Sequence, residues 1–423
     1  MKIKLILFFV ILSITQKSFS QWTLFNSGAN VTLYSVCFKD QNTGWATGWY
    51  QQSFGKVVST TNGGLNWITT SIAIQYPYSI FFIDYNTGWV VGFNGPRAIK
   101  TTNGGISWLN INISNFTGFL FSIYFLNKDT GWVVGSQQEI IKTTNGGTNW
   151  IIQHGNSNYS CSLNSIFFID KNSGWCVGGD ENFRDTILTT SNGGLNWLAK
   201  PNVISKELYS VCFINHTTGW CVGYGGNVIK TTNAGQNWSI QSLGDYRLKS
   251  VYFSDSNNGW ISGQNSSGVI FRTFDGGFNW YPQYSGGFDL YSMSFINANT
   301  GWAVGYNGNI LKTTNGGGVV SVNNTSSEIP LHFSVSQNYP NPFNPVTKIR
   351  FDIAGTSESQ TNISIFDILG NKIATLVNEK LTPGSFEIDF DGTKLSSGVY
   401  FYMFTSFNSK GRFTKTMKMA LIK

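Results

Sequence analysis

At 423 residues the chain is long enough to bury two or more cores. Only 12% of it is charged, whereas 16% is aromatic and 47 residues are glycine, a profile of short strands joined by glycine turns that excludes a helical bundle and a disordered chain. The formal charge of +7 comes without any cluster of Lys and Arg, which argues against nucleic-acid binding.

The chain opens with Lys2 and Lys4, an apolar run over 5–12 that continues through Ile14, and then Ser18-Phe19-Ser20. A basic start, a short apolar core and a small-x-small site predict a signal peptide over 1–20, cleaved after Ser20. The run is far shorter than the ~20 residues that span a bilayer, and no other segment approaches that length. Cleavage removes Lys2, Lys4 and Lys17 and no acid, so the formal charge falls from +7 to +4.

Residues 21–318 are one unit repeated. Thr101-Thr102-Asn103-Gly104-Gly105-Ile106-Ser107-Trp108 recurs around Asn62 with Trp67, Asn145 with Trp150, Asn192 with Trp197 and Asn233 with Trp238. Asp275 with Trp280 is a looser copy, and Asn315 heads a copy that lacks its Trp. A Gly-Trp pair precedes each copy, at Trp45, Trp89, Trp132, Trp175, Trp220, Trp260 and Trp302. A spacing of about 40 to 45 residues means stacked units or a propeller.

Residues 121–150 show the plan of one unit. An alternating segment 121–125, a polar turn, Trp132 to Gly135, the segment 140–144 and the segment 149–152 read as a four-stranded meander. Asn-Gly-Gly is a hairpin signal, because the glycines accept positive φ and the Asn side chain bonds turn backbone. The Trp beyond it is expected between neighbouring sheets. A sheet with two apolar faces needs a neighbour on each side, and radial repetition provides one. The expected fold is all-β, with seven blades over 21–318. Trp22 lies 23 residues before Trp45, a gap matched at Trp197 to Trp220, so Trp22 is expected to supply the missing motif Trp and residues 22–26 to close the ring.

Thr-Thr-Asn-Gly-Gly-x-x-Trp resembles the Asp-box, or bacterial neuraminidase repeat, with Asn usually replacing Asp. The longer unit, Thr-Gly-Trp-x-Val-Gly through Lys-Thr-Thr-Asn-Gly-Gly, is similar to the propellers of photosystem II assembly and stability factors. The resemblance implies a fold shared by sialidases, sugar-degrading enzymes, receptors and assembly factors, and so no single activity.

Residues 319–330 break the repeat and read as a linker. Residues 337–345, Gln-Asn-Tyr-Pro-Asn-Pro-Phe-Asn-Pro, hold three of the chain's nine prolines and cannot form a central strand. Alternating segments at 347–353, 362–367, 385–390, 399–404 and 414–421 predict a small Ig-like β-sandwich over 331–423. The Pro-rich opening, Phe366-Asp367-Ile368-Leu369-Gly370 and Ser397-Gly398-Val399-Tyr400-Phe401 resemble the type A sorting domain of the type IX secretion system. The resemblance implies that the secretion machinery is a partner and that the protein is secreted or attached to the outer-membrane surface of a bacterium. A photosynthetic assembly role fits the repeats but conflicts with this tail.

Both repeated signatures are expected on one face of the ring, as scaffold. The opposite face varies, and loops on a rigid scaffold are where binding residues collect. Its candidates are Trp49, Tyr50, Tyr76, Phe93, Arg97, Glu181, Arg184, Tyr224, Tyr246, Arg247 and Tyr306. Aromatics with a few charges suit a glycan, a peptide or a protein partner. The basic residues before Thr-Thr, namely Lys100, Lys142, Lys230, Arg272 and Lys312, read as a solvated rim. Cys37, Cys212, Cys176 and Cys221 occupy repeated core positions and read as small hydrophobes; Cys161 is the exception, in a loop.

No catalytic residue, metal site or cofactor is expected: His154, His216 and His332 are scattered, and no His/Cys/Asp spacing suggests a metal. A sialidase needs an arginine triad, and the ring offers only Arg97, Arg184, Arg247 and Arg272 without a Phe-Arg-Ile-Pro motif. A glycoside hydrolase or lyase is the alternative to a binding module, with Asp180, Glu181, Asp185, Asp245 and Asp289 on the variable face as its possible carboxylates.

Overall fold

The computed structural model describes residues 22–423 except 52–53, 96, 112, 114–117, 156–160, 181–184, 202, 318–322, 327–328, 356, 393–394 and 409–410. The signal peptide expected over 1–20 lies outside the described residues. Residues 21–318 form one unit and 319–423 another.

Each repeat of the first unit is a four-stranded antiparallel meander. Blade 1 runs through Thr32–Phe38, Gly44–Trp49, Lys56–Thr60 and Ile68–Ser71. The innermost strands of blades 2 to 7 are Tyr76–Phe82, Leu120–Phe125, Ser162–Phe168, Leu208–Phe213, Arg247–Phe253 and Leu290–Phe295. Seven such sheets are present among the described residues, giving a seven-bladed β-propeller. The seventh takes its outer strand from Thr23–Asn26, which pairs antiparallel with Asn309–Thr313 in the register Thr23↔Lys312.

The two repeated signatures meet at one end of every blade. Gly63 N donates to Asn42 O at 2.7 Å, and Gly104 N to Asn86 O at 2.9 Å, so the Asn-Gly-Gly turn is bonded to the turn before Gly-Trp. Gly63 and Gly64 sit at φ +72° and +93°, which is why the motif needs glycine. The Asn62 carboxamide accepts from Asn66 N at 2.9 Å, and Thr60 Oγ1 accepts from Gly64 N at 3.0 Å, so the motif polar groups are spent on their own turn.

Blades are joined by a recurring aromatic set. The Trp of Gly-Trp stacks on a Phe of the next blade, with centroid distances such as 3.7 Å for Trp45–Phe82, 3.6 Å for Trp89–Phe125 and 3.5 Å for Trp302–Phe38. The octet Trp meets that same Phe edge-on, as Trp67 meets Phe38 at 6.0 Å. Trp22 meets Phe295 at 5.9 Å and 89°, so the seventh blade has the same arrangement. The octet Trp does pack at the blade interface, but the deeper wedge is the Gly-Trp residue: Trp89, Trp132, Trp220, Trp260 and Trp302 have no exposed surface.

The basic residues before Thr-Thr are not a solvated rim. Lys100 Nζ donates to Gly146 O at 2.9 Å, Lys142 to Gly193 O at 2.8 Å, Lys230 to Gly276 O at 2.8 Å and Lys312 to Gly63 O at 2.9 Å. Arg272 Nη1 reaches Gly316 O at 3.2 Å. Each cation also lies 5.0 to 5.3 Å from the centroid of its own blade's Gly-Trp ring. Partial burial pushes the lysine pKa values down, and the fuller burial of Arg272 lowers its pKa to about 10. In five of the seven blades these residues are latches that fasten the blade to the turn of the next one.

The second unit packs two four-stranded sheets. One orders Asn323–Ser326, Gly384–Asp391, Val346–Ile353 and Ser334–Val335; the other orders Lys372–Leu381, Ser359–Phe366, Gly398–Asn408 and Gly411–Leu421. Ile349, Phe351, Ile363, Ile365, Tyr402 and Phe404 fill the space between them. Part of the stretch read as linker, Asn323–Ser326, therefore pairs as an edge strand. The Pro-rich segment seals one side: Asn338 is buried and donates to Thr347 Oγ1 at 2.9 Å, while Tyr402 Oη donates to Ser336 O at 2.7 Å.

Candidate functional site

The end of the ring away from the octet is built by the innermost strands. In every blade the pairing register skips one residue there: Tyr34, Tyr78, Phe121, Asn164, Tyr209, Lys249 and Tyr291. A bulge re-aims its side chain, and here the re-aimed residues meet from blade to blade around the channel. Tyr34 lies 4.9 Å from Tyr291 and 6.0 Å from Tyr78, and Tyr78 lies 5.2 Å from Phe121. The residue after each bulge is a serine whose Oγ accepts from the next blade's backbone. The seven bonds run from Ile80 N on Ser35 to Val36 N on Ser292, at 3.1 to 3.4 Å, and make a closed belt.

Above the belt the channel mouth has two sectors. Across blades 7, 1, 2 and 3 it is aromatic. Trp49 stacks on Tyr34 at 5.5 Å and meets Tyr76 at 4.7 Å; Phe93 stacks on Phe119 at 3.9 Å. Trp49, Gln51, Tyr76, Tyr78, Phe93 and Phe119 enclose a cleft of ≈ 390 Å³. Burial, with Tyr78 beside it, pushes the Tyr34 pKa up to about 12, so this wall stays uncharged at neutral pH.

Across blades 5 to 7 the mouth is charged. Lys249 Nζ lies 3.3 Å from the Tyr209 ring centroid, and burial lowers its pKa to about 8 against the opposing pull of Glu207 and Asp289. Glu207 accepts from Asn164 Nδ2 at 2.9 Å. Lys206 and Arg247 lie 5.3 and 5.4 Å from the Tyr224 ring.

Residues 337–419 match the family model described as the secretion system C-terminal sorting domain. Stretches 115–201, 152–246 and 201–283 match the photosynthesis system II assembly factor YCF48. The ring is similar to the YCF48 propellers, and a sorting domain follows it. A solved structure of YCF48 bound to D1 peptide is 19% identical, with a TM-score of 0.58 over 70% of this chain and 96% of that one. YCF48 from Cyanidioschyzon merolae is 22% identical, with a TM-score of 0.57 over 69% and 98%. PorZ, a surface component of the type-IX secretion system of Porphyromonas gingivalis, is 14% identical, with a TM-score of 0.54; the match covers 94% of this chain and 60% of PorZ. No curated protein matches. At these identities the likeness establishes the fold, and the sorting tail indicates export to the cell surface or the medium.

Within the YCF48-like ring, Trp49, Tyr76 and Phe93 share the aromatic cleft. Arg97 lies beside them, 5.3 Å from the Phe93 ring and donating to Gly118 O. Tyr50 is exposed at the edge and accepts from Gln51 Nε2 at 3.1 Å. Tyr224 and Arg247 belong to the charged sector. Tyr306 stands 47% exposed after strand Gly301–Gly305. Tyr246 turns inward instead, edge-on to Phe271 at 5.3 Å within the core between blades 5 and 6. Glu181 and Arg184 lie outside the described residues.

Two further expectations change. Asp185 is 2% exposed, and its carboxylate accepts from Val203 N at 2.7 Å and Ser205 N at 3.1 Å, so it ties down a loop and is withdrawn from any catalytic pair. Cys161 is buried like Cys176, Cys212 and Cys221, and all five cysteines are free. The bulge residues, with Phe119 and Glu207, are what the sequence reading missed. Their signal was present as seven copies of x-Ser followed by Val, Ile or Met, at residues 34–36, 78–80, 121–123, 164–166, 209–211, 249–251 and 291–293.

Proposed function

We propose that the chain is an exported, non-catalytic binding module whose ring holds an extended peptide segment of a partner protein at the aromatic sector of the channel mouth. A leader over 1–20, cleaved after Ser20, takes it to the periplasm, and the type IX machinery takes it across the outer membrane by the tail. One observation carries the reading: a continuous wall of aromatic rings from Tyr291 through Tyr34 and Trp49 to Phe119, open to solvent beside a cleft. Such surfaces hold apolar side chains in fully desolvated pockets.

A peptide fits better than a sugar. Sugar hydroxyls need several hydrogen-bonding groups close to the stacking ring, and among the residues that line this cleft only Gln51, two tyrosines and Trp49 carry polar side-chain atoms, the Trp49 Nε1 being buried. A YCF48 structure holds a peptide, and the resemblance in fold agrees with that choice. The test is a peptide and glycan array probed with the full chain lacking its leader. Peptides rich in aromatic or aliphatic side chains should bind, and Trp49→Ala and Phe119→Ala should each weaken binding about tenfold or more. Binding to glycans alone, or binding that both changes leave intact, overturns the proposal.

A further inference from the structure

The sorting tail has a feature that its own folding does not require. Between strands Ser359–Phe366 and Lys372–Leu381 the chain turns through Asp367-Ile368-Leu369-Gly370-Asn371. The turn is fixed by its polar members. The Asp367 carboxylate accepts from Leu369 N at 2.9 Å, from Asn371 N at 2.8 Å and from Asn371 Nδ2 at 2.9 Å, and Gly370 takes φ +83°. Ile368 and Leu369 add nothing to this: they are 70% and 80% exposed. They are the one adjacent pair of exposed large apolar residues among the sandwich's described residues. An exposed aliphatic pair that its own turn does not need is a small contiguous apolar patch through which a partner can dock.

The surroundings indicate what docks. Phe366 is opposite Phe401, and Val399 is opposite Ala420, so the turn lies at the same sheet end as Ile422, which is 55% exposed. Exposed Lys372 and Lys423 lie at that end, Lys423 held by a bond from its N to Ser397 Oγ at 3.0 Å. Asp367 is the acid in the turn, and its carboxylate is engaged by N–H groups of that same turn; the apolar knob with the two lysines beside it is complementary to an apolar pocket with an acidic rim.

We propose that the 367–371 turn is the knob by which the secretion machinery seizes the tail, through an apolar pocket bordered by acidic side chains on a protein of that machinery. This rests on the export reading, and the experiment separates the two. The full chain is expressed in a bacterium that has the type IX system, as wild type, as Ile368→Asn/Leu369→Asn, and as Leu331→Asn, a change at another exposed apolar site. Each protein is purified from cells and its melting temperature compared with wild type.

Wild type and Leu331→Asn should reach the surface or medium equally, while the double variant falls at least tenfold in exported fraction, accumulates in the periplasm and keeps its melting temperature. Lys372→Glu should lower export in the same direction. Equal export of the double variant and wild type overturns the turn proposal; retention of wild type itself overturns the export reading instead. If the double variant melts well below wild type, the single Leu369→Gln replaces it and is read by the same criterion.

Discussion

The residues that hold the ring are those whose environment leaves no alternative. Trp220 is fully buried and stacked on Phe253 at 3.5 Å, so Trp220→Ala should cost about 3 to 5 kcal/mol in a denaturant melt. Ala234 shows the opposite case. It occupies the first glycine position of its octet at φ +62°, where an L side chain costs about 1 to 2 kcal/mol. Ala234→Gly should therefore stabilise the ring by about 1 kcal/mol. Lys249 ties stability to pH. Its pKa falls from 10.5 to about 8 on folding, so between those values the unfolded chain binds the proton and the folded chain does not. Stability then rises with pH across that window, with Glu207, Arg247, Asp289 and Tyr209 as the groups that face the amine. Melting temperatures from pH 7.5 to 10 should show the rise in wild type and a smaller one in Lys249→Met.

At the scale of strands and blades, the period of the repeats was legible because each blade needs the same turn and the same wedge. The octet spacing located the seven sheets, and the gap from Trp22 to Trp45 pointed to the start of the chain as the source of the last strand. The pairing of Thr23–Asn26 with Asn309–Thr313 makes that strand a clasp. Deleting residues 21–27 should lower the melting temperature sharply and speed amide exchange in blade 7; an unchanged melt would mean the ring does not depend on the clasp. Legibility failed where a strand lacks the apolar alternation that marks one in sequence. Asn323–Ser326 has no apolar residue, and Lys372–Leu381 carries the polar run Asn378-Glu379-Lys380 before Leu381, so neither alternates as a half-buried strand should. The bulge was hidden for a related reason. Tyr34 and Lys249 share a position set by register, and their side chains have nothing chemical in common. The latch lysines were misread because their partners, carbonyls of the next blade, lie 46 residues or more along the chain.

For the whole molecule, scaffold and site separate by face. One end of the ring spends its polar groups on its own turns, and the other presents aromatic and charged sectors on a belt of serine bonds. The choice of aromatic cleft was partly legible, since Trp49, Tyr76 and Phe93 were read from sequence. Phe119 and the bulge residues were not, because only the ring brings blades 7, 1, 2 and 3 together. The ligand is therefore expected on the face away from the octet. The direct test is the affinity of the full chain, without its leader, for the strongest peptide found on the array, compared between Phe119→Ala on one face and Ile106→Ala on the other; Ile106 is 81% exposed on the octet turn. A loss of about tenfold or more in Phe119→Ala with Ile106→Ala unchanged is the predicted result. Loss in Ile106→Ala with Phe119→Ala unchanged would place the ligand on the octet face and contradict it.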